Sequence, residues 1–142
     1  MDALLSILLW LHFLGLATGL GGGIALSQTG PRLVSASGAE RPLVWKLERA
    51  FSIIGSIGVG ILVVTGPLLL WLKYGGPDGL SPWFSAKMVF VMLTVAGVIA
   101  HELAGRRFRA GSTGAYRWMA IAGRTAGISM VLAVLCAVMT FD

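Results

Sequence analysis

The chain has 142 residues, of which 56% are hydrophobic and only 12% charged, and its mean hydropathy is +0.85. This is too apolar for a soluble core and leaves room for one membrane domain of about four spans. The net charge of +5 comes without any basic soluble module, which argues against a nucleic-acid partner and for basic flanks around membrane spans. The single cysteine, Cys136, rules out an intrachain disulfide and any Cys-based metal motif.

The first predicted span covers residues 4–27, LLSILLWLHFLGLATGLGGGIALS. It carries no formal charge and is long enough to cross the hydrocarbon layer of about 30 Å. The start, Met1-Asp2, has no Lys or Arg, and the apolar stretch is too long for a typical signal peptide. Residues 28–46 read as a polar connection broken by Gly30-Pro31, Gly38 and Pro42, with LVWKLER as a short interfacial helix anchored by Trp45. The second span is predicted over 50–72. Ser52, Ser56 and Gly60 give it a strip of small residues, and Gly66-Pro67 should kink its far end. YGGPDGLSPW is a turn-rich connector. The third span, 82–103, starts on Pro82 with Ser81 as N-cap, and the fourth covers 116–141.

Charge sets the expected topology. Arg32, Arg41, Lys46, Arg49, Arg106, Arg107, Arg109, Arg117 and Arg124 cluster on one side, and only Lys73 and Lys87 on the other. Both basic connections should therefore be cytoplasmic and both termini outside. The expected fold is all-α, an antiparallel four-helix bundle forming a single membrane domain.

His12 is the sharpest chemical signal, because ionisable groups inside a span are costly and usually functional. An imidazole in a membrane bundle suits axial ligation of haem iron. A histidine hydrogen-bonded across a helix interface is the competing reading. Gly15, Gly19 and Gly23 follow on the same helix face and would leave room for a flat cofactor or a close helix. His101 lies roughly 16 Å away in depth. It therefore cannot share an iron with His12, and is either a second, weaker metal candidate or a polar group at the cytoplasmic interface. Met88, Met92, Met130 and Cys136 lie nearer the depth of His12. Met92 is a weak candidate for a second ligand, each of these residues being as well explained by packing. Lys87 is also near that depth, as a snorkelling anchor or as an inward cation paired with a propionate or other anion. Trp83, Lys87, Thr94 and His101 fall roughly on one face of the third span. Glu48-Arg49 and Glu102-Arg106 read as interface charges. Glu102 and Arg106 have pairing distance along one helix, and Arg124 is placed to answer Glu48 or Glu102.

The run PWFSAKMVFVMLTVAGVIAHELAGRR, with Trp83, Lys87 and His101, resembles the third span of the bacterial membrane-bound protoporphyrinogen IX oxidase family. LERAFSIIGSIGVGILVVTG, with Arg49 at its basic start, resembles that family's second span, and LLWLHFLG its first, with His12 at the haem-binding histidine. The likeness covers most of residues 8 to 107. It departs where the family has a Trp-containing aromatic stretch followed by Pro-Arg-Leu and a further His. Here the stretch is GLATGLGGGIAL, Pro31-Arg32-Leu33 comes late, and the second His is absent. Copper-resistance D-type membrane domains share the first-span histidine. The resemblance implies haem b on His12 beside Gly15 and Gly19. It also implies Lys87 as a catalytic group or one holding the cofactor, a tetrapyrrole substrate and a quinone as electron acceptor. Two other readings stand beside it: a structural or assembly subunit of a larger membrane complex or homo-oligomer, and a small copper-resistance-type protein.

Overall fold

The computed structural model describes residues 2–76 and 81–140. They form four helices, α1 (Asp2–Ser35), α2 (Glu40–Tyr74), α3 (Pro82–Arg109) and α4 (Ala115–Thr140), with no strand among the described residues. All four are long and apolar enough to cross a membrane. In hydrocarbon no water is available to backbone groups, so helices that satisfy their own hydrogen bonds are the expected solution. The large apolar side chains point outward, Trp10, Ile24, Trp71 and Trp118 each being more than 60% exposed. Such a surface suits lipid. The protein is an integral membrane four-helix bundle.

The first connection is far shorter than its composition suggests. α1 runs through Gly30 and Pro31 to Ser35, and α2 starts at Glu40 and absorbs both Pro42 and the LVWKLER stretch. Pro42 falls in the first turn, where its missing N–H has no intrahelical partner to lose. Pro31 forfeits only a bond to the carbonyl of Ser27, an exposed residue near the helix end. Pro67 likewise sits inside an uninterrupted α2. Ser81 takes the extended N-cap conformation before Pro82 but makes no side-chain capping bond. The middle of the connector between α2 and α3, residues 77–80, lies outside the described residues, as does the end of the fourth predicted span beyond 140.

The bundle is two antiparallel hairpins. α1 packs closely on α2, and α3 on α4. α1 and α4 touch less, and α2 and α3 hardly at all. Apolar burial cannot drive helix association in lipid, so small residues that let backbones meet must do so. In the first hairpin Gly22 lies directly on Gly55, and Gly15 on Gly58. A Cβ at Gly22 would stand 2.7 Å from the Gly55 Cα, and one at Gly15 would stand 2.9 Å from the Gly58 carbonyl oxygen. In the second hairpin Gly97 meets Ala126 in the same way, at 2.9 Å. The strip on α2 that packs is Ser52, Gly55, Gly58 and Val59, whereas Gly60 is exposed with open space beside it. A step of four residues overshoots the 3.6-residue turn, so Ser52-Ser56-Gly60 drifts off the seam.

All four helices converge at one end, which carries the 36–39 and 110–114 connections and most of the arginines. There Leu33, Ala104 and Met119 are buried against Val44, Trp45, Phe108 and Tyr116. The Trp45 and Phe108 rings stack with centroids 5.6 Å apart. This plug closes the basic end of the bundle.

Candidate functional site

His12 stands on α1 two turns before the closest glycine contacts. The register those contacts impose brings Thr65 of α2 to its ring, with Nδ1 2.8 Å from Thr65 Oγ1. The Thr65 hydroxyl donates its one proton to the carbonyl of Ile61, 2.7 Å away, as threonines in helices commonly do. It can then only accept from the imidazole. Nδ1 therefore carries the proton, and Nε2 keeps its lone pair. Nε2 has no hydrogen-bond partner among the described residues. A ring held through Nδ1 with Nε2 bare is the tautomer that metal-binding histidines adopt. Nε2 is thus the one nitrogen of the ring left open to an external partner. Lys87 on α3 acts electrostatically on His12, so the sequence-predicted pair lies on the same side of the bundle. Its ammonium also stands 5.8 Å from the centre of the Phe84 ring, a cation–π distance.

The glycines that follow His12 serve mainly the helix seam. Gly15 and Gly22 are covered by α2, while Gly19 faces the Met130 methyl group. Gly19 and Gly23 border a cavity of about 570 Å³ between the two hairpins, within the usual size range of ligand pockets. Its walls come from all four helices and include Val59, Thr94, His101, Tyr116, Gly127 and Met130. His12 is not on the wall. By helix rise it lies about 10 Å from Gly19, toward the end that holds the termini.

At the other end of the cavity is a second polar group of residues. His101 lies part-buried between α2 and α4, where its Nδ1–H donates to the Met119 carbonyl at 3.0 Å. Its Nε2 faces Glu48 Oε1 at 3.6 Å. Ser52, one turn from Glu48, donates a hydrogen bond to Glu102. Glu48 is only 2% exposed, so it is an interior carboxylate and not an interface charge. Glu102 turns to α2 instead of pairing with Arg106 along its own helix. Among the described residues Arg124 pairs with neither acid, and His101–Glu48 is the sole ion-pair contact. His101 is therefore not a free interfacial group, and its open nitrogen is directed at a carboxylate.

The remaining expectations fall apart by position. Met92 is 66% exposed on the outward face of α3 and Met88 is 39% exposed, whereas Met130 and Cys136 are buried. Trp83 is exposed, so the predicted polar face of α3 holds only from Lys87 through Thr94 to His101. No group of three or more His, Cys, Asp or Glu suited to a metal ion occurs among the described residues. Thr65 and the buried Glu48 went unremarked as site residues in the sequence. Thr65 was hidden because its role depends on how α1 slides against α2. Glu48 had a signal, an acid one turn before a span beside small residues. Compared with known proteins, the chain matches no family model, no curated protein and no solved structure.

Proposed function

We propose that the chain is a haem b-binding redox protein of the bacterial inner membrane, with both termini on the non-cytoplasmic side and His12 as the residue that would hold the iron through Nε2. The observation that carries this reading is the Thr65 hydroxyl, which accepts from Nδ1 and leaves Nε2 bare inside a membrane span. When bound there, haem supplies one-electron transfer. Thr65 fixes the imidazole tautomer and ring plane. Lys87 offers a cation to a propionate or to an anionic substrate group. The cavity between the hairpins, a separate space deeper in the bundle, takes a flat apolar partner, a tetrapyrrole such as protoporphyrinogen IX as hydrogen donor or a quinone as acceptor.

Thr65→Val tests this directly, because it removes the hydroxyl and keeps the shape. Haem titration of the purified variant should show an affinity about 10- to 100-fold weaker, with helicity unchanged. Equal affinities in Thr65→Val and wild type would mean that the hydroxyl does not support a ligand.

A further inference from the structure

We propose that Glu48 and His101 form a proton-holding pair, with His101 presenting it to the inter-hairpin cavity. The inference is independent of haem.

It begins with a count of protons. His101 spends Nδ1–H on the Met119 carbonyl, so a neutral ring presents a lone pair at Nε2. That lone pair faces Glu48 Oε1 at 3.6 Å. Neither Nε2 nor the second carboxylate oxygen, Oε2, has a hydrogen-bond partner, although both are buried. A neutral imidazole against an ionised carboxylate would therefore bury two facing acceptors and a net negative charge, which a low-dielectric interior penalises heavily. One added proton removes both costs. On Nε2 it makes an ion pair, and on Glu48 it makes a neutral pair. The site is electrically neutral either way. A second proton would leave a net positive charge, so the pair holds one.

The surroundings give this proton somewhere to go. His101 lies on the cavity wall with Tyr116 and Arg124 of α4, and α1 contributes no titratable side chain to that wall. Glu102 of α3 is the other acid that acts on His101. On the far side, Arg49, Glu102, Arg106 and Arg109 surround a small recess of about 100 Å³ at the basic end. Ser52 lines both spaces and donates to Glu102. A proton given from Nε2 to a nitrogen or oxygen lone pair of a cavity occupant leaves the pair negative and ready to take one proton back.

The test uses the full chain in lipid bilayers at neutral pH, read by nitrogen-15 NMR of labelled histidine and by infrared spectroscopy of carboxyl groups. The chain has only two histidines, so assignment is direct. Wild type should show either His101 as imidazolium or Glu48 as a carboxylic acid. Glu48→Gln should abolish whichever signal is seen and leave His101 as a neutral Nδ1–H ring. If that variant fails to fold, His101→Gln serves instead, and Glu48 should then give the carboxylic-acid band. Wild type with a bare Nε2 beside an ionised Glu48, or imidazolium persisting in Glu48→Gln, overturns the pair. A colourless protein would refute the haem reading and leave all these outcomes intact.

Discussion

His12→Ala should abolish the haem binding proposed for the protein: the Soret band of the purified variant should be lost, and haem titration should saturate only at concentrations well beyond those needed for Thr65→Val. The ordering follows from what each change deletes. Thr65 supports the ligand, and its loss costs about 10- to 100-fold. His12 is the proposed ligand itself, and among the described residues no other imidazole stands near its depth. His101 is the internal control. Its Nδ1 is bonded to Met119 and its Nε2 is directed at Glu48, so His101→Ala should leave the spectrum unchanged. A His12→Ala protein with a wild-type spectrum, or a His101→Ala protein without one, would reverse the assignment.

Gly22→Leu should separate the first hairpin. The new Cβ alone would stand 2.7 Å from the Gly55 Cα and 2.8 Å from the Gly55 nitrogen. Both are backbone atoms, which cannot turn aside as a side chain can. Overpacking in cores where side chains can yield costs about 1–3 kcal/mol, and this contact belongs at the upper end or beyond. Gly21 provides the contrast, with nothing within 4 Å of its hypothetical Cβ. Gly21→Ala should be neutral or stabilising by up to about 1 kcal/mol, since alanine is the better helix former. Unfolding in mixed micelles with increasing SDS measures both. Equal stabilities of the two variants would show that the glycine contact does not hold the hairpin. Because that contact sets the register that brings Thr65 to His12, Gly22→Leu should also weaken haem binding.

The spans and their antiparallel order were legible in the sequence because hydropathy and length leave a membrane chain few choices. Helix ends were less so. Pro31 and Pro42 looked like breakers, but each fell where a helix tolerates proline, near an exposed end or within a first turn. The site was legible one helix at a time. His12, Lys87 and His101 stand out as polar groups in apolar runs, whereas their partners depend on the sliding of one helix along another. Thr65 and Ser52 look like ordinary small polar residues until glycine contacts fix that register. In the sequence Glu48 resembles an interface charge, because an acid beside an arginine usually faces water. The convergence of α2, α3 and α4 at the basic end buries it instead.

The most direct measurement is the absorption spectrum of the wild-type protein, purified after expression with adequate haem and recorded before and after reduction with dithionite. A red protein with a Soret band that shifts on reduction, at about one haem per chain, is the result expected from His12 and Thr65. A colourless protein that also fails to take up added haem would contradict it and leave a membrane bundle whose His12 does no more than tie α1 to α2.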